Sequence, residues 1–438
     1  MDSTLSPRDN FKSKLGFIAS CVGSAVGMGN IWLFPYKLGQ NGGAAFLIPY
    51  TLFMFVLGYS GVVGEMAFGR AMKAGPVRAF EKALKTRNIQ GGNYLGIFPL
   101  LGCLLIGIGY AVVVGWIIKF IFGSLSGSLF NVEAATYFGE ISGGFSSIPW
   151  HIAALVLTFS LMIFGISGGI EKLNKIVMPI FFLIFLLLAV YVGFRSSSVQ
   201  GYSYIFNLDL NSLKDPRVWI NALGQAFFSL SLAGSGTIIY GSYLDSKTDI
   251  IFCAKNVVIF SFISSLLSAL VIIPAVFSYG MINELQSGPP LMFIVMPTIF
   301  KSIPCGQFIS LIFFLAALFA AVTSLVNLFE APIEAFQTEF KLSRKTAVLV
   351  VASIAVGVGI FIEDANVVGK WMDFLSVYVV PLGALLAGIM FFWVCGKEFA
   401  RDQVQMGRSK PIGRWFEPLT RYVFIGLVFV LCVLNIIF

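Results

Sequence analysis

The sequence describes an all-α, polytopic membrane protein, and three observations carry that reading. Of 438 residues, 58% are hydrophobic and only 11% are charged, whereas a soluble domain carries about 25% charged residues. Phe and Gly each occur 45 times; Phe covers lipid-facing surface and Gly lets helices approach closely. Eleven stretches with little or no charge can be drawn, at 15–39, 43–70, 95–123, 148–167, 173–194, 218–244, 251–281, 307–335, 344–362, 371–396 and 416–438. Nearly all of them are long enough to cross a hydrocarbon core of about 30 Å at about 1.5 Å per residue. This balance excludes an ordinary cytosolic enzyme, a nucleic-acid binder and a disordered scaffold.

The net charge of +8 is an orientation signal rather than a polyanion site, so no nucleic-acid partner is expected. With the amino terminus and every second loop on one side, 22 of the 29 Lys and Arg fall there. The positive-inside rule makes that side cytoplasmic, in a cell inner (plasma) membrane. Eleven spans then put the carboxyl terminus outside. No signal peptide and no carboxy-terminal regulatory domain are expected. The polar segment 1–14 is cytoplasmic, and the basic segment 71–94 reads as an interfacial amphipathic helix. Five of the six Cys sit in or beside apolar stretches, Cys305 stands alone, and neither disulfide nor metal spacing emerges. His151 follows Pro149 and Trp150 and reads as an interface residue.

The first and sixth spans depart from ordinary helices. The first contains Gly23, Gly27, Gly29 and Asn30, and the sixth contains Ser229-Leu-Ser-Leu-Ala-Gly-Ser-Gly236. Each Gly costs a helix interior about 1 kcal/mol relative to Ala. Close helix packing through Gly23 and Gly27 is one explanation. The other is that both helices break near the midplane, the sequence pointer to inverted repeats around a binding site. Broken helices strand NH groups and carbonyls that lipid cannot satisfy. The carbonyls suit a small cation and the NH groups a carboxylate. Asn30, Ser229, Ser231, Thr323 and Ser324 offer further oxygens nearby.

The runs Gly23-Ser-Ala-Val-Gly-Met-Gly-Asn-Ile-Trp-Leu-Phe-Pro-Tyr36 and Asn41-Gly-Gly-Ala-Ala-Phe-Leu-Ile-Pro-Tyr50 carry a resemblance. With Glu65-Met-Ala-Phe-Gly-Arg70, Gly224-Gln-Ala-Phe-Phe-Ser-Leu-Ser-Leu232 and Thr323-Ser324, they resemble the neurotransmitter:sodium symporter family, over about residues 8–400. The resemblance implies the bacterial leucine-transporter fold. Helices 1–5 (residues 15–194) form a first repeat, helices 6–10 (218–396) an inverted second, and 416–438 a peripheral eleventh helix. It also implies sodium-coupled import of an amino acid by alternating access.

Carried over, the resemblance places a second sodium site at the carbonyls of Gly23, Val26 and Ala320 with the hydroxyls of Thr323 and Ser324. A first sodium site would use Ala25, Asn30, Ser229 and Ser261, the last replacing the usual amide or acid. Ser265 stands where chloride-independent bacterial members have an acid. Two readings stay open there: chloride held by Tyr50, Gln225, Ser229 and Ser265, or a weak or missing first sodium. Met28 and Gly29 amides with Tyr110 would bind the substrate carboxylate. Ser24, Ala25, Phe228 and Ser231 would take its ammonium, with Ser229 close by. Gly27, where amine-carrying relatives have Asp, points to amino acids. Ile106, Gly234, Ser324, Leu325 and Leu328 would line the side-chain pocket. Gly234 stands where relatives are bulky, implying room for a large or aromatic side chain.

Among gate residues, Tyr110 and Phe228 would close over the substrate. Asp373 matches the outer acidic gate, but its Arg partner is Leu33, so that ionic latch is expected to be absent and outward closure to rest on apolar contacts and water-mediated links. Inside, Arg8 and Tyr243 match, Phe11 replaces Trp, and Thr338 stands where the partner Asp is expected, so a weakened inner latch follows. Glu65 and Glu330 are expected to hydrogen-bond the broken sixth helix. Three alternatives were open to the residues alone. A proton-coupled transporter would titrate Glu65 or Glu330. An intramembrane enzyme would use Gly58-Tyr59-Ser60-Gly61, but lacks a suitably placed His. A channel would need a filter repeat, which is absent. Nothing in the sequence indicates an oligomeric state.

Overall fold

The computed structural model describes residues 11, 13–194, 198–286 and 290–437, so Arg8 lies outside the described residues. The elements are helical throughout: α1 (Lys14–Ala25), α2 (Gly29–Gln40), α3 (Ala44–Met72), α4 (Pro76–Lys85), α5 (Gly92–Ser126), α6 (Ala134–Ser142), α7 (Ile148–Ile163), α8 (Ile166–Gly193) and α9 (Val199–Phe206). After them come α10 (Pro216–Ser229), α11 (Gly236–Ser242), α12 (Ile250–Ser278), α13 (Leu291–Lys301), α14 (Gly306–Glu339), α15 (Arg344–Ile362), α16 (Ala365–Val394), α17 (Lys397–Gln405) and α18 (Phe416–Asn435).

Eight of these are long and apolar enough to span a bilayer, and α1 with α2 makes a ninth, bent by 53°. The expected count of eleven would also require α7, which has 16 residues, and the α10–α11 pair, whose halves have 14 and 7. Polar side chains set many of the starts. Ser13, Asp215, Asp249, Ser343 and Asp364 accept backbone N–H bonds at the heads of α1, α10, α12, α15 and α16, satisfying donors that a helix cannot pair internally.

Three expectations need correction. The 71–94 segment does form an amphipathic helix, α4, but Val77, Phe80, Ala83 and Leu84 are buried, and α4 packs along α5. His151 is not exposed to an interface: it is 1% exposed and its Nδ1 lies 2.7 Å from Glu363, the residue just after α15, with Ser147 on the other carboxylate oxygen. Phe is not mainly a lipid-facing residue. Trp116, Phe120, Phe138, Phe293 and Phe314 interlock with centroids 5.1–6.4 Å apart, in the edge and offset arrangements that aromatic rings favour.

Candidate functional site

Both expected breaks are present. The first lies between Ala25 and Gly29, and the second between Ser229 and Gly236. In the second break Ser231 and Gly234 have φ of +53° and +70°, a left-handed backbone that no α-helix can contain. The interrupted peptide groups find partners on neighbouring helices, as an apolar surround demands. Met28 N–H donates to Tyr110 Oη at 2.7 Å, and Gly234 N–H donates to Glu65 Oε1 at 2.8 Å. Gly29 O accepts from Gln225 at 2.8 Å, and Gly236 O from Asn327 at 3.1 Å. The two breaks also touch each other, because Ser231 Oγ donates to Ser24 O at 2.8 Å.

The oxygens assigned to a second sodium site converge. Thr323 Oγ1 lies 2.9 Å from Gly23 O and 2.9 Å from Ala320 O. Ser324 Oγ lies 3.2 Å from Gly23 O and 3.5 Å from Val26 O. Five neutral oxygens from a broken helix and an intact one form the donor set that a small hard cation takes. Thr323 also approaches Phe319 O at 3.1 Å, so ordinary back-bonding to its own helix is available when no cation is bound.

Around the first site hydrogen bonds join Asn30, Ser229 and Ser261, while Ala25 lines the same cavity as Asn30. The Asn30 amide nitrogen donates to Ser261 O and to the hydroxyls of Ser261 and Ser265, at 2.9–3.0 Å. Ser261 Oγ donates to Ser229 O at 2.6 Å. The four chloride candidates form one cluster. Tyr50 Oη is 3.1 Å from Ser229 Oγ and 2.8 Å from Ser265 Oγ, and Gln225 Nε2 is 3.1 Å from Ser229 Oγ. All four are buried, and no carboxylate belongs to the cluster.

Two cavities meet at Tyr110, Phe228 and Val380, which line both. The inner one, about 60 Å³, is lined by Ser24, Ala25, Gly27, Gly29, Ile106, Tyr110, Phe228, Ser231, Ser324 and Leu328 as expected. The outer one is a vestibule of about 410 Å³ on the side away from Lys14. The shared wall is where the two closing residues were expected. Met28 lines the vestibule instead, reaching the inner site only through its N–H bond to Tyr110. Ser229 and Leu325 lie behind the wall, both fully buried. Gly234 is a clear correction. A Cβ there would overlap the Gly383 carbonyl, so this glycine permits a left-handed turn against α16 and opens no room in the pocket. Sequence reasoning missed Cys103, Phe227, Leu232, Ala233, Asn327 and Val380 as lining residues. Asn327 could have been found, being three residues past Ser324 and on the same face of α14.

On the side of Lys14 the site is closed by aromatic packing. Phe11 meets Phe17, Tyr240 and Tyr243 with centroids 5.2–6.3 Å apart. Glu330 bonds the sixth helix as expected, but at its end rather than at the break: it accepts from Tyr243 at 3.0 Å, and it also pairs with both terminal nitrogens of Arg344, at 2.8–2.9 Å. Thr338 bonds its own helix at Glu334 O, while Glu339 pairs with Arg78.

The chain matches the description "Sodium:neurotransmitter symporter family" over residues 8–138 and 140–438. The chain belongs to this family. An uncharacterized sodium-dependent transporter of Bacillus subtilis, YhdH, is 31% identical, with 97% of each chain covered. The human sodium-dependent neutral amino acid transporter SLC6A17 is 28% identical over 63% of this chain and 42% of its own. The crystal structure of MhsT in complex with L-phenylalanine superposes with a TM-score of 0.89 at 30% identity, covering 98% of this chain and 100% of that one. This family member is therefore a multi-pass membrane transporter and not an enzyme. In the symporter, the two breaks sit where the cavities, the converging oxygens and the closing aromatic pair all meet.

Proposed function

We propose that this chain imports a neutral amino acid with a large or aromatic side chain, driven by sodium. The observation that carries the reading is the meeting of Gly23, Val26, Ala320, Thr323 and Ser324 oxygens beside a cavity whose polar atoms come from two helix breaks. The substrate carboxylate takes the Gly29 amide and Tyr110 Oη, and its ammonium takes carbonyls near Ser24, Ala25 and Phe228. A Cβ on Gly27 would stand 2.5 Å from Ser324 Oγ and 2.8 Å from Tyr110 Oη. Gly27 itself supplies no carboxylate, so the substrate brings its own. The aromatic preference no longer rests on Gly234. It rests on the apolar walls of Ile106, Phe227, Phe228, Leu328 and Val380, and on the L-phenylalanine named in the MhsT complex.

Sodium binding orders the broken helices and so raises substrate affinity, and the substrate tightens sodium by the same factor. Rocking of the repeat formed by 15–194 against that formed by 218–396 exposes the site to each side in turn. The amino terminus is cytoplasmic and the vestibule opens outside, as the distribution of Lys and Arg requires. Chloride at Tyr50, Gln225, Ser229 and Ser265 is favoured over an unaccompanied first sodium, because that buried cluster is rich in donors and has no fixed negative charge. Uptake into proteoliposomes, with sodium and chloride replaced in turn and twenty amino acids as competitors, tests all of this. Sodium-free uptake driven by a pH gradient would overturn the sodium reading.

A further inference from the structure

The vestibule is mostly apolar, yet among its described lining residues it holds one cation, Lys37, and one anion, Asp373. They stand on different elements, Lys37 near the end of α2 and Asp373 in the first third of α16. Leu33, where the resemblance expects an arginine, lines the same vestibule, four residues and one helical turn before Lys37. Residues four apart share a helix face, so a cation has moved outward by about 6 Å rather than been lost.

Neither charge is committed elsewhere by an ion pair among the described residues. The Lys37 ammonium lies 3.3 Å from Asn221 Oδ1, a long bond to a neutral amide. Asn221 is held in turn by Asn41, whose own amide returns to the Lys37 carbonyl at 2.7 Å. Asp373 is exposed and bears electrostatically on both Lys37 and Tyr36. The arrangement is a cation parked on a weak partner, sharing with an anion a vestibule whose floor is the Tyr110–Phe228 wall.

We propose that Lys37 is the outer closing cation of this transporter, leaving Asn221 to pair with Asp373 when α2 and α10 swing toward α16. The proposal rests on the alternating-access reading but not on the identity of the substrate. With the vestibule open, water screens the two charges. Closure expels that water and lowers the effective dielectric, which strengthens the attraction only in the closed state. An interaction that differs between two states is what biases an equilibrium. Lysine is a compact, flexible, strongly hydrated charge without the bidentate fork of arginine, so the pair closes the vestibule yet releases readily. Apolar contacts among Trp32, Leu33 and Met372 complete the seal.

The test uses the full chain in lipid vesicles with no amino acid added, so a wrong substrate assignment leaves it intact. Cys305 is replaced by Ser to remove the exposed thiol, and Ser376→Cys places a reporter in the vestibule. The rate of labelling by a membrane-impermeant maleimide measures how often the vestibule stands open. Lys37→Met and Asp373→Asn should each raise that rate about two- to fivefold, the range for a partly exposed ion pair, and the double variant should raise it no further. Lys37→Arg should keep the slow rate. Exchanging the charges, Lys37→Asp with Asp373→Lys, should restore what either reversal alone loses. Wild-type rates in both neutral variants, or a double variant equal to the product of the singles, would overturn the proposal.

Discussion

Replacing Gly234 by Ala decides between two explanations of the same residue. If the glycine enlarged the pocket, an added methyl would narrow substrate choice and leave stability alone. The structure demands the opposite. At φ +70° an alanine bears the left-handed penalty of about 1 kcal/mol. Its Cβ also overlaps the carbonyl of Gly383, and backbone on both sides leaves no flexible side chain to move aside. Overpacking of this kind costs about 1–3 kcal/mol, for a total near 2–4 kcal/mol. Gly383 faces the same seam, since a Cβ there would overlap the Ala233 carbonyl. Gly383→Ala should therefore destabilise comparably. The double variant should fall short of the summed effect, because one separation of α16 from the break relieves both clashes. Thermal unfolding of detergent-purified protein, followed by tryptophan fluorescence, measures the losses, while competition by small and large amino acids reads the pocket. A stable Gly234→Ala protein with altered substrate preference would refute the packing argument.

Three further outcomes follow from the same geometry. Thr323→Val keeps the shape but removes an oxygen 2.9 Å from Gly23 O and Ala320 O. The sodium concentration for half-maximal uptake should rise roughly tenfold or more, the worth of one bond to a charge; an unchanged sodium dependence would remove Thr323 from the site. Ser265→Glu puts a fixed negative charge beside Tyr50 and Asn30, and uptake should then proceed equally in chloride and gluconate media while the unaltered protein needs chloride. Glu330→Gln strips a fully buried carboxylate from Arg344 and Tyr243. Because the Arg344 side chain is 18% exposed, the loss should fall below the full cost of an orphaned buried charge, at about 2–3 kcal/mol, measured as reduced thermal stability.

What was legible in the sequence was chemistry that repeats along the chain, and what escaped was chemistry that depends on facing. Apolar length and the glycine and serine interruptions announced the helices and both breaks, because a lipid surround leaves few backbone solutions. The meeting of the Thr323 and Ser324 hydroxyls with Gly23 O, 300 positions away, was legible only through the resemblance, since no local pattern joins them. Facing is different. Gly234 aligned with pocket residues in relatives, yet its missing side chain is needed on the α16 side, a distinction that no linear pattern carries. His151 sat beside interfacial residues in the sequence, yet its partner Glu363 is 212 positions away. Glu330 meets the sixth helix at Tyr243, as the resemblance implied, but its ion-pair partner Arg344, at the head of the next helix, was marked by no motif.

The closure of the two faces shows why that distinction matters for mechanism. On the side of Lys14, Phe11, Phe17, Tyr240 and Tyr243 pack edge to face over Glu330 and Arg344, so closure there is apolar contact backed by a buried ion pair. On the vestibule side the aromatic wall of Tyr110 and Phe228 has, among the described lining residues, two separated charges above it, Lys37 and Asp373. A conformation in which one seal is complete and the other is poised is the state that admits substrate from the vestibule. Opening the packed side must then separate aromatic surfaces together with the α1 segment that carries Gly23 O. Thr323 and Ser324 on α14 reach that same carbonyl, so a sodium ion held there, as proposed above, would tie α1 to α14 and oppose opening until it departs. On the proposed sodium-driven reading, the coupling of ion release to opening of the packed side resides in one shared peptide oxygen, Gly23 O.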